Sequence, residues 1–304
     1  MLTNTNLTYI FTVIAILSFD SYAAETMCPK GLNPNPNVIW CDSFEDEDLG
    51  SGNTVDENYY IFDKGSDPEN MVRVNNQSIH GVYALKHHWN AGAGSGGTGS
   101  FIRTFGRNPA NSQSHSSQDF NDIYWRFYIK LQAGFSGQPN KLTRATIFTD
   151  KNWAQAMIAH MWALNNGPLE LDPATGIDLN TNLLASTGWN DFANLTFLGK
   201  VKGNTLLVPD TWYCVEAHVK LNTPDQTNGA FEYWRDDKLQ ASRSDLNWVG
   251  TWNDYGINTI MISNYWNETS PKEQERYIDA LVISTERIGC LVAPPKPPSN
   301  ITVQ

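Results

Sequence analysis

The chain has 304 residues, of which 40% are hydrophobic and 12% aromatic, enough for one large β-domain with a substantial core. Its formal charge of -11 excludes nucleic acid or an anionic membrane surface as the partner of the molecule as a whole. The charge is uneven, however: between Phe101 and Lys151 seven basic residues face three acidic ones, a +4 island that suits the focusing of an anionic ligand into one cleft.

Residues 1–23 read as a secretory signal, with an apolar run from Tyr9 to Phe19 and small residues around Ser21-Tyr22-Ala23, although no Lys or Arg precedes the run. The run is too short for a membrane span, and no later segment is longer, so membrane insertion is not expected. A secreted or periplasmic protein also fits the four cysteines, Cys28, Cys41, Cys214 and Cys290, an even set for an oxidising compartment. Spacing allows three pairings. Cys28 with Cys41 and Cys214 with Cys290 is preferred, because the first is local and the second ties the last strand to an inner one.

From 24 to 292, short alternating or apolar segments recur between Gly, Pro, Asn and Asp clusters, the pattern of an all-β, two-sheet antiparallel sandwich. Predicted strands are 38–44, 83–89, 100–105, 123–131, 154–163, 192–198, 212–221, 230–235, 257–264 and 277–284. The loop Gly92 to Gly99 contains GxGxxG, but a strand rather than a helix follows, so it reads as a turn or a cleft edge and not as a dinucleotide site. His87 and His88 are adjacent and project to opposite faces of a strand, so they cannot chelate one metal together.

The segment DIYWRFYIKL, from Asp122 to Leu131, is the clearest strand. Its odd positions, Ile123, Trp125, Phe127, Ile129 and Leu131, point into a core, whereas Tyr124, Arg126, Tyr128 and Lys130 point the other way. Rings and cations on one face suit an acidic sugar polymer; an ordinary wet sheet face would look the same. Lys141 and Arg144 follow in the basic island. His160 lies in QAMIAHMWAL with Ile158 and Trp162 on its face, where a partly desolvated imidazole can act as a base near neutrality or simply sit in a core. In Trp212 to Leu221, Glu216 and His218 share the polar face, as an acid/base pair or as surface residues. Residues 293–304 open with the stiff connector APPKPPS and form a tail or the stub of a further module. No GxSxG elbow and no zinc spacing occur.

The succession DIYWRFYIKL, Asn140-Lys141-Leu142, WYCVEAHVKLN, NGAFEYWRDDKL and YIDALVISTERIG resembles the concanavalin-A-like jelly-roll domains of secreted polysaccharide lyases and their sugar-binding relatives, from about Val38 to Cys290. The resemblance implies a jelly roll that cleaves a uronic-acid polysaccharide by β-elimination, as similar alginate and glucuronan lyases do. It implies a cleft of Arg, Lys, Tyr and His on a concave sheet, with Lys141 at the position of a cleft lysine. The Arg-x-Glu-x-Arg and Gln-Ile-His signatures of one alginate lyase family are absent, although His160 lies in a comparable strand. A noncatalytic carbohydrate-binding module and a glycoside hydrolase remain the alternatives; for the latter, a Glu-x-Asp-x-x-Glu strand is missing.

The expected catalytic set is Arg126 with Lys141 to neutralise the carboxylate, His160 or Lys141 as base and Tyr128 as acid. Tyr124, Lys130, Arg144, Trp162, Glu216 and His218 are the expected sugar contacts. The partner is an anionic polysaccharide and the protein a monomer. Catalysis needs no cofactor, but Asp42, Glu45 and Asp279, at the two ends of the domain, are expected to share a structural calcium ion.

Overall fold

A computed structural model describes residues 35–45, 58–94, 98–137, 141–163, 168–266 and 268–291. The signal segment, Cys28, Asn140 and the Pro-rich tail lie outside them. Strands β1 (Val38–Asp42), β2 (Ile61–Asp63), β3 (Met71–Val74), β4 (Ala84–Trp89), β5 (Ser100–Thr104) and β6 (Asp122–Leu131) come first. They are followed by β7 (Lys141–Phe148), β8 (Gln155–Ala163), β9 (Pro168–Thr175), β10 (Ile177–Asp178), β11 (Leu183–Leu184) and β12 (Thr196–Phe197). The series ends with β13 (Val201–Leu206), β14 (Trp212–Lys220), β15 (Gly229–Arg235), β16 (Lys238–Leu246), β17 (Thr259–Ser263) and β18 (Gln274–Ser284).

Two large antiparallel sheets form a jelly-roll sandwich. The first runs β16-β15-β14-β6-β18-β4-β3 with β1 added on β18, and the second runs β12-β9-β8-β7-β17-β5-β2 with β13 added on β9. The alternation read from the sequence determines which side chains lie between them. Ile123, Trp125, Phe127 and Ile129 of β6 and Val215, Ala217 and Val219 of β14 are buried in the same cluster as Leu142, Ile147, Met157 and Leu171 of the second sheet. Truncating a buried aromatic such as Trp125 to alanine costs about 3–5 kcal/mol in a core of this kind.

Several strands have no clear signal in the sequence, β7 and β9 above all. Lys141 to Phe148 lacks a clean apolar alternation, and Pro173 argues against a strand in LELDPAT. Pro173 is tolerated because it falls where the outer neighbour of β9 changes from β13 to β12. All residues but the first of each of these two strands are buried, so neither needs polar and apolar alternation.

The polar face of β6 is not an open groove. Arg126 is 0% exposed and Tyr128 4% exposed. The chain after β18 crosses this face: Arg126 Nη1 donates to the Gly289 carbonyl at 3.2 Å, and the Leu291 amide donates to the Tyr128 hydroxyl at 2.7 Å. Glu216, opposite Arg126 on β14, accepts from the amides of Ile288 and Gly289 at 2.6 and 3.0 Å. The expected Cys214–Cys290 disulfide staples the strap down. Cys41 is disulfide-bonded as well, to a partner outside the described residues.

Candidate functional site

The residues expected to form one site are divided between the outer faces of two opposite sheets. On the first sheet, Tyr124 stacks on His218 with ring centroids 4.2 Å apart, and His218 is held between Asp122 and Glu232 at 2.7 and 3.0 Å. Burial opposes charge on this imidazole, but its two carboxylate partners outweigh burial and raise its pKa. Lys130 pairs with Asp210 at 2.8 Å. Arg126, Tyr128 and Glu216 bind the strap. These groups hold one another and the chain end, which corrects the expectation that Arg126 and Tyr128 face a solvent-open cleft.

On the second sheet, the strand register assembles a different row. Ile102 pairs with Met261, Met261 with Arg144, Arg144 with His160, and His160 with Asp172, so all five share the outer face of β5-β17-β7-β8-β9. One step along, Lys141 pairs with Trp162 and Trp162 with Glu170. His160 is therefore not between the sheets, yet it is only 3% exposed, with its ring 4.8 Å from that of Trp162. Among the described residues neither of its ring nitrogens has a hydrogen-bond partner. Burial, reinforced by the charges of Arg144, Lys141 and Lys200, holds its pKa well below the usual imidazole value, so the ring is neutral and able to accept a proton.

Over Arg144, the strand partner of His160, opens a cleft of about 330 Å³ lined by Lys141, Arg144, Trp189, Asn190, Ser263 and Tyr265, with Asp63 and Gly99 on its far side and His160 buried just beneath the lining. Two loops build the wall. Trp153 stacks on Phe148 at 5.5 Å and meets Trp189 edge-on at 5.3 Å. Asn190, in the left-handed region at φ 51, accepts from Arg144 Nη1 at 2.9 Å and donates its amide to Gln155 Oε1 at 3.1 Å. The Arg144 guanidinium lies 4.2 Å from the centre of the Trp189 ring, and Lys141 Nζ lies 4.1 Å from that of Tyr265. Burial and the neighbouring Arg144 lower the Lys141 pKa to about 8. Gly99 is required where it stands: at φ +85, a Cβ would fall 2.2 Å from the Asp63 carbonyl oxygen.

Of the expected residues, Lys141, Arg144, His160 and Trp162 are brought together. Tyr265, Trp189, Asn190 and Trp153 were not foreseen. Tyr265 follows an apolar strand on the same side as Ser263, and that parity was the available signal; the two tryptophans and Asn190 arrive on loops whose paths carry no periodic mark.

Behind the cleft, Lys200 bridges Glu170 and Asp172, at 3.3 Å to each, and Trp162 Nε1 donates to Asp172 at 3.0 Å.

The three acids expected around calcium do not meet as a triad. Asp42 accepts from the Phe44 amide and the Tyr59 hydroxyl. Glu45 accepts from the Val82 and Tyr83 amides, and Asp279 from those of Ile79 and His80. Among the described residues, no group of three or more His, Cys, Asp or Glu side chains is arranged to hold a metal. Burial pushes the Asp279 pKa up to about 7 against its amide donors, and the Glu45 charge adds to the rise. The second Asp279 oxygen, buried, has no hydrogen-bond partner. The expected calcium ion, if held by Glu45 and Asp279 alone of the three acids, would answer both features. Under that reading chelator lowers the melting temperature and added calcium restores it; a melting curve indifferent to both removes the cation.

No family model matches this sequence, and no curated protein matches it. Solved structures do. An endo-β-1,4-glucuronan lyase from the fungus Trichoderma reesei shares 13% identity at a TM-score of 0.53, covering 75% of this chain and 91% of its own. An alginate lyase from Chlorella virus shares 14% at 0.51, covering 70% and 89%, and a marine alginate lyase from Aplysia kurodai shares 11% at 0.55, covering 82% and 99%. At these identities the likeness establishes the jelly-roll fold.

Proposed function

We propose that this protein is an exported lyase that cleaves a uronic-acid polysaccharide by β-elimination at the outer face of its second sheet. The observation that carries the reading is the juxtaposition of Arg144 and His160, a buried cation and a neutral imidazole without a hydrogen-bond partner, on adjacent strands beside a cleft walled by aromatic rings. β-Elimination needs a cation at the uronate carboxylate, a base for the C5 proton and an acid for the leaving oxygen. Arg144 and Lys141 neutralise the carboxylate, making the C5 proton acidic. His160 accepts that proton on a ring nitrogen. The C4–O bond then breaks, a C4=C5 double bond forms, and Tyr265 gives its phenolic proton to the departing sugar oxygen. Trp189 and Trp153 offer flat apolar area to the pyranose rings. The fold shared with the three lyases supports this reading, and the Cys214–Cys290 disulfide supports export.

Hydrolysis is less well served. It needs two carboxyl groups able to act on either side of the scissile bond. Asp63 is the one carboxylate among the described cleft residues, and Glu170 and Asp172 are both engaged by Lys200.

Incubating the purified protein with alginate, glucuronan, heparin and chondroitin tests the reading. Near-ultraviolet absorbance from an unsaturated product is the expected result with at least one of them. New reducing ends without that absorbance would establish a hydrolase, and binding without either would leave a noncatalytic module.

A further inference from the structure

Two phenylalanines that packing leaves in solvent lie at the end of the same sheet face. Phe192 is 51% and Phe197 47% exposed, and their rings stack with centroids 6.5 Å apart and planes 11° from parallel. Scattered exposed apolar residues need no explanation, but two half-exposed rings in near-parallel contact form one local apolar patch on which a ligand can pack. We propose that this pair is a stacking shelf for a sugar ring of the polysaccharide chain, outside the cleavage site and continuous with it. The proposal rests on the reading of the cleft as a polysaccharide site.

Three observations give the shelf its occupant. The first is position. Phe197 pairs with Ala174 and Ala174 with Ile158, and both partners sit two residues from Asp172 and His160 on β9 and β8, so the shelf is on the outer face that carries Arg144. It lies two strand spacings from β8, roughly 10 Å across the sheet. A chain crossing His160 and Arg144 reaches it within a few sugar residues.

The second is continuity and rigidity. One loop supplies Trp189 and Asn190 to the cleft wall and Phe192 to the shelf. Asp191 pins that loop, accepting from the Thr187 amide and hydroxyl at 2.9 and 2.8 Å and from Asn194 Nδ2 at 2.9 Å. The rings are held in place before any ligand arrives, which limits the ordering cost of binding.

The third is charge. The path from His160 to the shelf passes Asp172, with Glu170 two residues to the other side on the same face of β9, and the two would repel a polyanion if they stood alone. Lys200 bridges both, and Lys202 lies 3.9 Å from Glu170. Two lysines thus balance two carboxylates, and both lysines are more than half exposed, available to a passing uronate.

The test compares the parent with a Phe192→Ser/Phe197→Ser variant, using Leu239→Ser on β16, an exposed residue on the other sheet, as the control for general stickiness. Affinity electrophoresis in alginate, glucuronan, heparin and chondroitin gels is paired with product absorbance on long chains and on short oligosaccharides. The expected result is long-chain affinity lowered about tenfold in the double variant, short oligosaccharides and melting temperature unchanged, and the control like the parent. A double variant that binds long chains as the parent does overturns the shelf while leaving the cleft reading intact. Weakened binding without unsaturated product in any sample retains the shelf and overturns the lyase. A parent that binds none of the four polymers overturns both.

Discussion

Replacing His160 with glutamine is expected to lower turnover of the cleaved polymer by roughly 10²–10⁴-fold, the range for loss of a general base, with affinity for the polymer nearly unchanged. Glutamine keeps the approximate volume beside Trp162 and cannot take up the proton, so the melting temperature should stay close to that of the parent. The pH profile gives a second readout. Because burial and the three cations around it hold the His160 pKa well below 6.5, the base remains unprotonated in mildly acidic solution, and activity should persist below pH 6. On the alkaline side, Lys141 loses its charge near pH 8, so apparent KM should rise above that point. Lys141→Arg keeps the charge at higher pH and should move that limb upward. Full activity in His160→Gln, or a collapsed melting temperature, would return His160 to the role of a packed histidine.

Replacing Glu216 with alanine is expected to damage the fold and leave the chemistry alone. This carboxylate is 1% exposed, receives two strap amides and faces Arg126, itself fully buried. Removing it strands the two strap amides, breaks the 3.7 Å ion pair with Arg287 and takes a favourable charge from the nearby Arg126 guanidinium, a loss of about 2–4 kcal/mol dominated by the stranded buried donors. For a domain of this size the melting temperature should fall on the order of 10 °C. Activity per folded molecule, measured well below the transition, should match the parent, since the β6 and β14 polar face and the cleft lie on opposite sides of the sandwich. Loss of turnover in a fully folded Glu216→Ala protein would restore the first sheet as the catalytic face.

The site was half legible. Lys141, Arg144, His160 and Trp162 were picked out by residue type and now share one sheet face. Arg126 and Tyr128 satisfied the same chemical criteria and belong to the strap instead. Alternation says which residues share a face; it does not say whether that face meets water, ligand or another stretch of the same chain. Here the covering stretch is 288–291, more than 150 residues away in sequence, joined by Cys290 and by backbone groups that any sequence possesses.

The amino-acid order by itself determined the sandwich and the inward residues of β6 and β14, because a period of two and a buried core constrain each strand locally, whereas of three open cysteine pairings it only favoured the Cys214–Cys290 link that the structure holds. Only the tertiary structure decided which of two polar faces is strapped over and which opens onto a cleft. Strand order across the second sheet sets Arg144, from β7, beside His160, from β8, and loops bring Trp189, Asn190 and Tyr265 to them. Those contacts depend on register and loop path, which are settled by the packing of the whole sandwich and leave no periodic trace in the residues that make them.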